Sequence, residues 1–396
     1  STSSLLAAET DSSKSPEDSQ LRDKPTTKNV TEFRVALLRY GFTPSKEKDG
    51  KESIDIVLIP PQGDPMAWRV PIKLEDLNNY LRRAYRRITS LETTADNNGE
   101  ADPLYKLLVS PVIGVLEEQS ITTLLISADR GLQAIPFAAL FDGHHYFGER
   151  FSFSITPSLA LTPLAIPSDT ILQPAEKLSF ASTRFQSAAP LPLAEAEINR
   201  IAADDGNSPT FINEAFTTQS LLNGIRQPTT KQIHIASHAE ISAGDAHVLT
   251  GNGQLTLREL NRLDRSNEES PLDLVYFSAC RTAIGNNDAE LGFSGLALQI
   301  GSTTALGSLW NVNDLGSAAF AVMFYRYLAT GLIKAEAALA ARQAMIRGQL
   351  HLNGDDLFGP FEKPLLTGLT KQQKSLVKLL PQPYFWAGTT VLGSPW

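Results

Sequence analysis

Two segments in the second half of the chain end an apolar run at side chains capable of nucleophilic chemistry. In Gln232-Ile233-His234-Ile235-Ala236-Ser237-His238-Ala239-Glu240 the run stops at Ser237-His238. In Asp273-Leu274-Val275-Tyr276-Phe277-Ser278-Ala279-Cys280-Arg281-Thr282 it stops at Ala279-Cys280. Cys280 is the single cysteine of the 396 residues. A disulfide within the chain is therefore impossible, and a thiolate zinc cage has too few sulfurs. That leaves packing or chemistry for the thiol. A free thiol titrates near about 8.5 and is only slightly ionised at neutral pH, so an adjacent imidazole is its usual activator and the later proton donor to a leaving amine. Taken singly, each residue also has an ordinary reading: a cysteine at a strand end packs, and a lone histidine is a satisfied core or surface group.

Other candidates carry less. His234, four residues before His238, shares its face of the strand by the two-residue alternation and reads as a packing or supporting residue rather than the base. His144 and His145 sit at the Asp142-Gly143 turn, read as exposed, and would point to opposite faces of an extended segment, so no metal site is expected. Gly285-Asn286-Asn287 lacks the Lys-Ser/Thr ending of a phosphate loop and reads as a loop beside the site. No cofactor is expected.

The elements that must hold these residues follow from pattern. Apolar runs at 54–59, 122–127, 151–156, 177–181, 232–236, 272–278 and 303–309 read as strands, and Pro60, Pro61 and Gly63 close the first. Helical spacing covers 74–91, 103–119, 194–203, 217–225, 292–300, 317–330 and 334–347. Alternation of the two indicates an α/β fold with a mainly parallel sheet flanked by helices, and open sheets of this kind bind ligands beyond the carboxyl ends of their strands. His238 and Cys280 belong at that edge. The helix at 74–91 presents Arg82, Arg83, Arg86 and Arg87 on one side, which reads as a solvated face, with a docking surface as the alternative.

Composition bounds the rest. Apolar residues make up 42%, charged residues 20%, and the formal net charge is -8. These values fit a folded globular protein and give no electrostatic footprint for nucleic acid. The apolar runs fall short of the roughly 18 residues needed to span a bilayer. The first 30 residues read as a disordered polar tail without the apolar core of a secretory signal, so a cytoplasmic location is expected.

At this point the chain resembles the CHAT proteases of the caspase and separase clan. The blocks that carry the resemblance are the His-Ile-Ala-Ser-His run ending at His238, Ser278-Ala279-Cys280-Arg281-Thr282, and Gly307-Ser308-Leu309-Trp310-Asn311-Val312-Asn313-Asp314. Flanking matches are Leu132 to Leu140, Leu191 to Ile198 and Pro383 to Ala387. The resemblance implies a caspase-like fold in which a degenerate N-terminal lobe (31–167) precedes a catalytic lobe (176–396). It implies a cysteine endopeptidase with a His238–Cys280 dyad and an oxyanion site made by the backbone N–H groups of Cys280 and Ala239. Ala239 stands where the clan commonly has Gly. The resemblance also places Asp314 where relatives hold the acidic residue that reads a basic side chain before the cut bond, Arg over Lys; a second reading makes Asp314 the cap of a helix beginning near Gly316. Expected partners are a protein substrate and a possible regulatory protein, with no nucleic acid and no membrane span. The rival function is an inactive pseudoprotease that binds a partner through the same cleft. Relatives often carry tetratricopeptide repeats, and none is visible here.

Overall fold

A computed structural model describes residues 35–45, 51–91, 100–129, 131–156, 159, 162, 176–186, 188–242, 245–260, 271–278, 295, 297–298 and 301–396. The polar tail, the segment at 168–175, most of the predicted helix at 292–300, and Cys280 with its following loop lie outside the described residues.

The chain opens with an antiparallel meander of β1 (Val35–Thr43), β2 (Ser53–Ile59) and β3 (Met66–Pro71), the last two joined by a turn in which Gly63 takes φ +93°. A side chain at such a φ would be strained, so glycine is required there. After α1 (Leu74–Thr89), the single helix predicted from 103 to 119 is two, α2 (Pro103–Leu108) and α3 (Ser110–Glu118). Pro111 accounts for the break: it has no N–H to donate and is tolerated only in the first turn, so it starts a new helix. Then come β4 (Thr123–Ala128), β5 (Ser152–Thr156), β6 (Glu176–Ala181), α4 (Ala194–Asp204), β7 (Thr210–Ile212), α5 (Thr218–Arg226) and β8 (Thr230–Ala236). A small antiparallel sheet of β9 (Ala239–Ser242), β10 (Asp245–Thr250) and β11 (Gly253–Thr256) follows, then β12 (Leu272–Phe277), β13 (Ser302–Ser308), α6 (Asp314–Ala329), α7 (Lys334–Ile346), the hairpin β14 (His351–Asn353) and β15 (Asp356–Phe358), and β16 (Thr389–Gly393).

Among the described residues the main sheet has the order β3-β2-β1-β4-β5-β16-β13-β12-β8-β6-β7. Its inner strands are parallel except where β16 runs antiparallel to β13 and parallel to β5. The C-terminal strand thus lies between the strands of the two halves of the sequence. Parallel strands covered on both faces need apolar residues throughout, and β4 and β12 are buried along almost their whole length.

Helix α7 is rich in alanine, and Ala335, Ala337, Ala338, Ala341 and Ala344 are all buried, so it packs close to its neighbours nearly all round. It carries one costly group. Arg342 is 0% exposed, its guanidinium lies 4.8 Å from the centroid of the Phe153 ring, and among the described residues none of its nitrogens has a hydrogen-bond partner. Burial pushes its pKa down to about 9. An unpaired buried charge is destabilising, and an apolar side chain of similar length removes that cost. Arg342→Met is therefore expected to raise stability by about 1–3 kcal/mol in urea unfolding; an equal loss would mean that the stacking on Phe153 outweighs the burial.

Candidate active site

Strands β8 and β12 are adjacent and parallel, with Phe277 opposite Ile235, and the N–H of Ser278 donates to the Ile235 carbonyl at 2.9 Å. The chain segments that lead into His238 and Cys280 therefore leave the same edge of the sheet side by side. Cys280, Ala279 and Arg281 lie outside the described residues.

His238 follows β8 by two residues and is fixed from two sides. Its Nε2 is 2.7 Å from the carbonyl oxygen of Ala189, and the Phe185 ring meets it edge-on at 4.6 Å. A carbonyl only accepts, so Nε2 carries the proton and Nδ1 is left as the basic nitrogen of the neutral ring. The backbone is held as well: the His238 carbonyl accepts from Leu249 N at 2.9 Å, and the buried Ser237 hydroxyl donates to the Leu249 carbonyl at 2.5 Å. Ala239 opens β9 opposite Val248, and its side chain packs into the core formed with Val248 and Leu255. It has extended backbone and is not among the described non-glycine residues with positive φ. A β-carbon at this position is thus accommodated without strain, and the N–H remains where glycine would present it.

The acid predicted to read the substrate stands nearby. Asn313 caps α6, accepting from Leu315 N at 3.0 Å, so the helix starts three residues before the predicted 317 and Asp314 is inside its first turn. Asp314 is not the cap of its own helix: its Oδ2 accepts from Leu193 N at 2.9 Å, across 121 residues, at the start of α4. Burial, reinforced by the charge of Glu197 and opposed by the Leu193 hydrogen bond, pushes the Asp314 carboxyl up to about 7. Asp314, Glu197, Ala236, Ser278 and Ser317 line one small cavity at the carboxyl ends of β8 and β12, where Ser278 and Ser317 share a hydrogen bond of 2.9 Å.

Beneath this cavity His234 is fully buried, as its strand face predicts. Its Nε2 meets Glu197 Oε1 at 2.8 Å, its Nδ1 faces the Tyr325 hydroxyl at 3.3 Å, and Tyr276 and Tyr325 pack edge-on against the ring. Reasoning from sequence missed both Glu197 and the Ala189 carbonyl. Glu197 sits in the Leu191 to Ile198 block, at the first turn of a helix aimed at the strand ends, and that position is the signal that could have found it. A backbone carbonyl leaves none.

Distant sequence blocks meet around the site. Trp310 donates from Nε1 to the Tyr384 carbonyl at 3.0 Å and meets Tyr85 edge-on, while the Tyr384 hydroxyl donates to the Asn311 carbonyl at 2.9 Å. Gly388 lies against Trp310 so closely that a β-carbon there would stand 2.9 Å from the indole. The segment from β13 to Asp314 is thereby clamped by the C-terminal block. His144 and His145 are exposed, their N–H groups turned onto Asp142, and take no part.

The fold is that of the caspase-like proteases. The chain is similar to the separase of two Saccharomyces cerevisiae separase–securin crystal structures, with TM-scores of 0.54 and 0.52 at 10% and 11% identity, over 92% and 91% of this chain and 30% of the matched chain in each case. It therefore spans under a third of the chain it matches. It is also similar, at a TM-score of 0.45 and 10% identity, to the Arg-specific cysteine proteinase gingipain R, over 81% of this chain and 74% of that one. No curated protein matches the sequence. A family model described as the CHAT domain matches residues 99–394. That match takes in the Ala189 carbonyl, His238, Asp314 and the clamp around Trp310, and the chain belongs to the CHAT domain family.

Proposed function

We propose that the chain is a cysteine endopeptidase that hydrolyses peptide bonds of a protein substrate through Cys280 and His238, cutting after a basic residue, Arg over Lys. The observation that carries this reading is the tautomer of His238, with Nε2–H committed to the Ala189 carbonyl and Nδ1 unpaired among the described residues at the end of the strand beside the one leading to Cys280.

In the proposed reaction Nδ1 takes the thiol proton as Sγ attacks the scissile carbonyl carbon. Charge that develops on the carbonyl oxygen is met by the N–H groups of Ala239 and Cys280. The C–N bond then breaks, and the imidazolium returns its proton to the leaving amine. Water, deprotonated by Nδ1, attacks the thioester and releases the carboxylate product. The Ala189 carbonyl holds the ring in register and favours the imidazolium that forms between these steps. Asp314 would pair with the basic side chain before the cut bond.

The first half, 31–167, is read as a degenerate lobe whose β4 and β5 run parallel beside β16 and buttress the catalytic lobe of 176–396. A protein regulator and action in the cytoplasm complete the reading. Among the described residues no helix is long and apolar enough to cross a membrane. The test is cleavage of a randomised peptide library by the wild-type chain and by Cys280→Ala. Cuts after Arg and Lys that vanish in the variant are expected. Cuts after Asp or apolar residues would sink the basic preference, and no cleavage of any peptide or protein would leave the pseudoprotease.

A further inference from the structure

The cavity at the strand ends is electrically unfinished. Glu197 and Asp314 both line it, and the remaining lining residues, Leu191, Ala194, Ala236, Ser278, Val312 and Ser317, bring no positive charge. Glu197 is 2% exposed. One of its oxygens binds His234, and no other hydrogen bond reaches its carboxylate among the described residues. The Tyr325 hydroxyl, held protonated by burial, can donate to Nδ1 of His234 while its Nε2–H donates to Glu197. Lys177 is committed to Asp205 at 2.7 Å. Both carboxylates line one dehydrated space, and the Asp314 carboxyl is raised chiefly by that burial and further by the charge of Glu197. A cation between them would relieve both. Stability alone does not explain a buried carboxylate–histidine pair, because apolar residues fill such space at no greater cost.

Resting on the function proposed above, we propose that Glu197 is a specificity residue: with Asp314 it forms a two-carboxylate pocket whose missing counter-ion is the guanidinium or ammonium group of the substrate residue before the cut bond. The pocket lies two residues before His238 on one strand, at Ala236, and two before Cys280 on the other, at Ser278. That is where the side chain preceding a bond held by the dyad would descend. In the free chain the cavity measures about 10 Å³, room for about one water, so its walls must part when a side chain enters. Asp314 and Glu197 have distinct roles. Asp314 is tied to the start of α4 and contacts the cation directly, whereas Glu197, in the first turn of α4 and backed by His234, supplies a second charge.

The experiment compares kcat/KM for paired peptides carrying Arg or its neutral isostere citrulline before the cut, in wild type and in Glu197→Gln, which keeps an oxygen for His234 and loses only the charge. The Arg-to-citrulline ratio is expected to fall by about tenfold or more. An unchanged ratio, whatever the loss of overall rate, would make Glu197 purely structural and overturn the proposal. If Glu197→Gln fails to fold, the paired Glu197→Leu/His234→Phe replacement, which removes both buried polar partners together, must show the same fall. In the wild type, agmatine should compete with the Arg peptide, and calcium or potassium at matched ionic strength should not. Competition by the metal ions and not by agmatine would assign the pocket to an inorganic cation and end the proposal. An Arg peptide cleaved with an unchanged ratio in the variant defeats this inference alone, while no Cys280-dependent cleavage by wild type defeats the parent reading with it.

Discussion

Cys280→Ala is expected to lower kcat/KM for an Arg peptide by at least about 10⁴-fold, and His238→Ala to come within about tenfold of that loss. The two effects should be far from additive, because a thiol without its base and a base without its thiol disable the same step. The double variant should be no worse than either alone. Initial rates on one fluorogenic peptide measure all three. A His238→Ala enzyme that keeps more than a few per cent of wild-type activity would mean that another group takes the thiol proton. His234 is not a substitute, since both its nitrogens face Glu197 and Tyr325 in the core.

Asp314→Asn has the next largest expected effect, in two separate readouts. Loss of the carboxylate should reduce kcat/KM for Arg peptides by about 10²–10³-fold, the usual penalty for leaving a buried cation unpaired. The second readout is stability against pH. The Asp314 carboxyl holds its proton to about 7 in the folded chain against an ordinary value of 3.8. Between those values the folded state binds more protons than the unfolded one, so the contribution to stability is complete below about pH 4 and is lost as pH rises through 7. Asparagine does not titrate, yet it retains an oxygen for Leu193 N. Urea unfolding from pH 4 to 8 should therefore show wild type losing up to about 4 kcal/mol relative to the variant as pH rises, the ceiling set by the distance from 3.8 to about 7. Parallel curves would show that Asp314 ionises freely in the folded protein.

What the sequence disclosed depended on whether a feature is local. The strands at 232–236 and 272–278 are buried on both faces, and they are legible because the parallel sheet draws runs of apolar residues there. Helices α4, α5 and α7 fall within a residue or two of their predicted bounds for the same reason. One strand that escaped notice depends on partners far along the chain. β16 is a short Thr-Thr-Val-Leu-Gly run, and only its place between β13 and β5 makes it a strand. The β9–β11 sheet is a local antiparallel meander that shows no strong apolar alternation. In the site, His238 announces itself by residue type and position, and the turn toward Asp314 is marked by Trp310. Neither the Ala189 carbonyl that fixes the tautomer nor the Leu193 N–H that draws Asp314 away from its own helix end has a side-chain signature. Both are consequences of how the β6–α4 connection folds back over the strand ends.

The central claim is that His238 activates Cys280, and the rate of thiol alkylation tests it without a substrate. The chain has one cysteine, so every thioether formed reports on that residue. With iodoacetamide at pH 6.5, followed by intact mass, the wild type should react at least about tenfold faster than His238→Ala, whose thiol is expected to behave as an ordinary one that ionises near about 8.5. Equal rates in the two proteins would contradict the account.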